Sequence, residues 1–180
     1  MSQIIRSTGQ SAEIIEDPWY VVRDPAGLDL PGHAHRIIPF QQWRALLENG
    51  MTPGAETTGV WLSPDDEFQD DLVQLIQLPL LAIDFPSFRD GRGYSIAYLL
   101  RTRCSFTGEL RAIGDVLRDQ LFYMQRCGFN SFAVRADKDI HDALKGLTTF
   151  SVKYQGAVDD PVPLFRKREQ ATLPDEAWEP

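Results

Sequence analysis

The sequence is poor in the side chains that metal and redox chemistry use: of 180 residues, two are cysteine, three histidine and three methionine. Cys104 and Cys127 stand too far apart for a cluster or zinc spacing, and the scattered histidines make no ligand motif, so no metal site is expected. His33 and His35 form a His-x-His, but Pro31 and Gly32 beside them place the pair in a solvated loop. No apolar run reaches the roughly 18 residues of a membrane helix. The start, Met-Ser-Gln-Ile-Ile-Arg, has neither an apolar h-region nor a small-residue cleavage site, and the chain reads as cytoplasmic. Positive charge is also in deficit, with 18 Lys and Arg against 26 Asp and Glu and a net charge of −8. That balance excludes nucleic acid and anionic membranes as default partners, and any small anion must be captured locally.

What is present suffices for one core: 43% of residues are hydrophobic, with four Trp and ten Phe, and the length fits a single domain. We read residues 1–58 as an N-terminal tail and cap, 59–158 as an α/β core and 159–180 as an extended, proline-rich tail. The early pieces Ile4-Ile5, Ile14-Ile15 and Trp19 to Val22, broken by Gly, Pro and Asp, predict an antiparallel strand or hairpin. Trp43, Leu46 and Leu47 predict a helix over 41–49 that stops at Gly50.

In the core, 59–62, 78–85, 109–113 and 131–135 read as strands. Helices are expected over 70–77, over 94–103 with Ile96, Leu99 and Leu100 inside, from an Asp115 cap to Cys127, and after an Asp137 cap. Consecutive β-α units of this length give a mainly parallel sheet, and the pattern fits an open sheet and a half-barrel equally. Phe150 to Tyr154 is read as an edge strand.

In such folds ligands sit where strands end and helices begin. Asp84 closes the most apolar strand there, followed by Asp90-Gly91-Arg92-Gly93-Tyr94-Ser95. The next turn supplies Gly114, Asp115 and Arg118, and the third Arg135. Glycines admit backbone amides to a ligand and arginines offer a planar fork, so Asp90, Gly91, Arg92, Gly93, Ser95, Gly114, Arg118 and Arg135 are the candidate ligands for an oxyanion or a phosphate-bearing cofactor. Asp84, Asp115 and Tyr94 are the candidate catalytic acids or bases. The plainer alternative is that Gly91 and Gly93 make a tight turn, Asp90 and Arg92 pair, Asp115 caps a helix and Tyr94 packs. The Gly-x-Gly lacks the rest of a dinucleotide fingerprint. Both cysteines follow helix C-termini and so belong to the opposite edge. Phe122, Tyr123, Phe129 and Phe132 read as core; any that are exposed would serve a partner or a homodimer.

Asp84-Phe85-Pro86-x-Phe88-x-Asp90-Gly91-Arg92-Gly93-Tyr94-Ser95, then Gly108-Glu109-Leu110-Arg111-Ala112-x-Gly114-Asp115-Val116-Leu117-Arg118-Asp119-Gln120 and Arg126-Cys127-Gly128-Phe129, resemble a bacterial family of unknown function. Its members are described as oxidoreductases of sulfite reduction, encoded beside the sulfite reductase hemoprotein. The resemblance spans residues 37–168 and implies a place in sulfur assimilation. It brings no established catalytic residue or cofactor. The chain has no Cys pair, cluster ligands or nucleotide fingerprint, so the expectation is an accessory or redox-linked protein of sulfite reduction that binds an anionic ligand or a phosphate-bearing cofactor. The alternative is a non-catalytic module that docks on the sulfite reductase hemoprotein.

Overall fold

The computed structural model describes residues 2–8, 11–23, 35–54 and 56–172. It contains β1 (Gln3–Ser7), β2 (Ala12–Glu16), β3 (Trp19–Val21), β4 (His35–Pro39), β5 (Thr58–Leu62), β6 (Leu80–Phe85), β7 (Glu109–Gly114) and β8 (Ser131–Phe132). They form one mixed, mostly parallel sheet in the order β2-β1-β8-β7-β6-β5-β4-β3. From β3 to β8 each strand lies parallel to the next in the chain, while β1 and β2 add an antiparallel hairpin beyond β8.

The helices are α1 (Phe40–Glu48), α2 (Leu72–Leu75), α3 (Arg92–Thr102), α4 (Arg118–Cys127), α5 (Ile140–Leu144) and α6 (Leu164–Thr172). The first five bury residues in the same cluster as Leu81, Ile83 and Phe85 of β6. Because strand side chains alternate, Leu80 and Ala82 point the other way. They meet Ile37, Ile113, Trp19 and Trp61 in a second cluster that contains no helical residue.

Leu80, Ala82 and Ile37 are nonetheless fully buried, so the sheet covers this face by curling over itself. The chain path says why. The two edge strands, β2 and β3, are separated only by Asp17 and Pro18, a link spanning at most about 11 Å. Of the two forms the sequence left open, the curled, half-barrel one is found, and it curls until its edges meet in one extended run. Arg111, on the inner face of β7, is fully buried and gives Nη1 to both Asp17 oxygens at 2.8 and 3.0 Å, and Nε and Nη2 to Glu109.

Several local expectations need correction. Asp115 does not cap α4, which starts after Leu117 with the Gln120 side chain accepting from the Leu117 amide. Asp137 does not cap α5 either; Asp139 does, accepting from the His141 amide at 2.8 Å. In α3, Leu100 is buried as expected and Ile96 is half-buried against the core, but Leu99 is 39% exposed, and Gly93 and Ala97 complete the buried stripe. The last core strand stops at Phe132, and residues 150–154 form no strand. They are irregular, with Phe150 against Phe122 at 4.9 Å. The tail is not extended throughout, since it contains α6. His35 starts β4 with its ring 4.9 Å from Trp19, and His33 lies outside the described residues.

Candidate functional site at the strand ends

Asp84 is the fifth residue of β6 and shares the inner face with Leu80 and Ala82. It is 9% exposed, and Oδ1 accepts from Nη2 of Arg23 at 2.6 Å. The Arg23 guanidinium in turn lies 4.9 Å over the Trp61 ring, whose indole N–H donates to the Val22 carbonyl at 3.0 Å. A cation over an indole face, oriented by a carboxylate, is a fixed and planar arrangement. Gly114 makes room for it. Its φ is +91°, and a Cβ there would stand 2.7 Å from Asp84 Oδ1 and 2.4 Å from the Phe85 carbonyl oxygen.

Around this centre the strand-end loops are tied to one another. Asp115 accepts from the Phe88 amide at 2.9 Å and from Nη1 of Arg135 at 2.7 Å, joining the turns after β6, β7 and β8. Arg135 also holds Asp137 through Nε and Nη2. Arg92 grips Asp90 with Nε and Nη2 and reaches Asp65, after β5, with Nη1. The Phe88 amide and Arg135 hold the Asp115 carboxyl below its ordinary value. Arg92 does the same for Asp90, and Arg135 brings Asp137 down to about 2. These acids stay ionised, and their arginines are raised further.

The other expected residues divide into two groups. Tyr94 is half-buried, with its ring 5.3 Å from Phe85 and 5.1 Å from Tyr123. Burial pushes its hydroxyl up to about 12, so it stays protonated near neutrality. Gly93 is a packing position, since a Cβ would lie 2.7 Å from the Phe85 ring, whereas the space around Gly91 is open. Ser95 is exposed on α3. Arg118 turns to α5, where both Asp142 oxygens lie at 2.9 Å. Cys127 ends α4, and burial raises its thiol. The structure thus brings Asp84, Asp90, Arg92, Gly114, Asp115 and Arg135 to one rim and sends Arg118 elsewhere.

Reading the sequence missed Arg23, Trp61, Asp65 and Asp137 as members of that rim. A signal for Arg23 existed: the apolar run Trp19 to Val22 breaks into charge just as the run before Asp84 does. Among the described residues no three His, Cys, Asp or Glu side chains are grouped to hold a metal. No helix among them is long and apolar enough to cross a membrane.

These features define an α/β protein built on a curled, mostly parallel sheet, with charged groups gathered where its strands end. The chain belongs to a bacterial protein family of unknown function, DUF934, whose sequence profile matches residues 59–165. No curated protein and no solved structure matches it.

Proposed function

We propose that this is an accessory protein that binds a small oxyanion at the strand-end rim, with Arg23, Asp84 and Trp61 at the centre and Gly114, Arg92 and Arg135 around them. Following the resemblance set out above, the oxyanion is one of sulfur, sulfite or sulfate, and the setting is assimilatory sulfite reduction. One observation carries the reading: the Arg23 guanidinium, stacked on Trp61 and aimed by Asp84, keeps 47% of its side chain exposed. A stacked guanidinium still offers N–H groups along its edge to an anion. The repulsion of the neighbouring carboxylates is weakened because Arg92 pairs with Asp65 and Asp90, and Arg135 with Asp115 and Asp137. Binding rather than proton transfer is favoured because Asp115 is held ionised and Tyr94 protonated, whereas a general acid or base works best with a value near the working pH.

Thermal denaturation with sulfite, sulfate or phosphate, against chloride at equal ionic strength, tests this. The wild-type midpoint should rise with the oxyanion. Arg23→Gln should lose the rise, and Arg92→Ala, which leaves Asp65 and Asp90 unpaired, should reduce it. No rise in the wild type would sink the reading, and an undiminished rise in Arg23→Gln would remove Arg23 from it.

A second reading, docking on the sulfite reductase hemoprotein, has its own support. Of the four aromatics expected in the core, Phe129 and Phe132 are buried, but Tyr123 is 58% exposed, with its ring beside that of Tyr94. Co-purification with the hemoprotein that survives Tyr123→Ala would count against this face.

A further inference from the structure

Large apolar side chains are exposed unevenly over the described residues. There are twelve, and eight belong to one layer: two on α3, one on α4, one on α6 and four on residues 149–163, the segment before α6. The other four are spread singly over β3, the loop after α1, α2 and the loop after β6. A cluster of this kind marks a contact surface rather than ordinary surface scatter.

The parts of the layer are tied together. Residues 149–163 lie across α4: the Phe150 ring is 4.9 Å from Phe122, Arg126 pairs with Asp159 and donates to the Gln155 carbonyl, and the Val158 amide donates to the Arg126 carbonyl. Arg101 of α3 holds the Phe106, Gly108 and Gly128 carbonyls, which fixes α3 against the end of α4. Tyr94 of α3 stands 5.1 Å from Tyr123 of α4, and Tyr98 follows Tyr94 by one helical turn on the same side. With Arg101, Tyr98 forms one wall of a groove of about 640 Å3, and Tyr154, Pro161, Pro163 and Phe165 form the other. The layer therefore carries a projecting ring beside a recess. Tyr123 is 58% exposed, and Tyr98, Tyr154 and Phe165 line the open groove at 49%, 65% and 48%.

Shape, size and charge together say what covers this face. A knob beside a hole on one surface is what a twofold contact uses, because each copy gives its knob to the other's hole. Eight side chains that each leave about half of a roughly 200 Å2 surface in water amount to on the order of 800 Å2, which is about what one partner contributes to a stable interface. A molecule of net −8 repels its own copies over most of its surface. Here, however, the two carboxylates of the segment are neutralised, Asp159 by Arg126 and Lys153 and Asp160 by Lys167. A second copy can approach at this face without setting uncompensated carboxylates of the segment against each other.

We propose that α3, α4 and residues 149–165 form the interface of a twofold homodimer, the Tyr123 ring of each copy entering the Tyr98–Tyr154 groove of the other. The inference rests on this face alone and leaves the anion reading untouched. A hemoprotein docking at Tyr123 would have to displace the second copy.

Sedimentation velocity of the full chain across micromolar concentrations tests this. The wild type should sediment as a dimer at the upper end and dissociate on dilution. Tyr123→Lys and Tyr154→Asp each bury an uncompensated charge in the contact, so each should weaken the dimer at least tenfold while circular dichroism stays that of the wild type. Mixing the two variants should restore the dimer, because one of its two contacts then pairs the introduced charges and the other is unaltered. Tyr20→Asp, on β3, should leave the dimer intact, and its loss there would assign the interface to the sheet edge and overturn the proposal. A wild type that remains monomeric would overturn it, as would a dimer that survives both Tyr123→Lys and Tyr154→Asp or a mixture that stays monomeric.

Discussion

A Cβ added at Gly93 would sit 2.7 Å from the Phe85 ring and 3.1 Å from Ile83, whereas one at Gly91 would meet nothing within 4 Å. The two glycines of the charged loop therefore act differently. Gly93 lets α3 press onto β6, and Gly91 lies just before α3, where a Cβ would be tolerated. Gly93→Ala should cost about 1–3 kcal/mol, as overpacking does, and Gly91→Ala should stay within about 0.5 kcal/mol; urea denaturation midpoints would measure both. The packing half of this pair was not legible in the sequence, because a Gly-x-Gly after a strand looks the same whether it admits a ligand or a helix. Asp84 was legible, since an apolar run ending in an acid marks a strand end. Its partner Arg23 was not, because it lies 61 residues away and local pattern carries no long-range pairing.

The loops that follow the strands are coupled mainly by carboxylates, and this gives the rim a pH dependence. Arg135 bridges Asp115 and Asp137. Both acids are lowered in the folded protein, Asp137 to about 2 from an ordinary 3.8. An acid whose folded value is depressed stabilises the fold above its unfolded value and loses that contribution as pH falls through the folded one. The Asp137 contribution is therefore complete above about pH 4 and fades as pH drops towards 2. Carboxyl-carbon NMR titration should place Asp137 near 2 in the wild type and return it towards 3.8 in Arg135→Gln; an unmoved midpoint would show that Arg135 is not the cause. At this scale the sequence read well where a period was long. The helices over 92–102 and 118–127 and the strands over 80–85 and 109–114 follow from spacing. It read poorly where elements are short, as in the two-residue β8 and the five-residue α5, because a few residues cannot establish a period.

The family match begins at residue 59, yet the sheet does not. β1 to β4 come from residues 3–39 and flank the four strands that follow. The antiparallel hairpin was legible from Ile4-Ile5 and Ile14-Ile15, but Trp19 to Val22, expected in the same antiparallel unit, pairs parallel with β4. The place of Ile37 and Ile38 in a parallel strand was not legible, because a short run before a helix resembles a loop. The curl was equally hidden: it depends on β2 and β3 standing at opposite ends of the spatial order, which no local pattern encodes. Asp17, between them, reaches Arg111 on β7 across 94 residues of sequence. Contacts so distant in the chain form late, because loop closure must precede them. Folding should therefore build the β6-to-β8 units first and close the Asp17–Arg111 clasp last. An interaction absent from the transition state affects chiefly the rate of escape from the native state. Asp17→Asn should then unfold faster while refolding at nearly the wild-type rate, as stopped-flow chevrons would show. The fold's lifetime, more than its speed of assembly, would be set at the one point where its two edges meet.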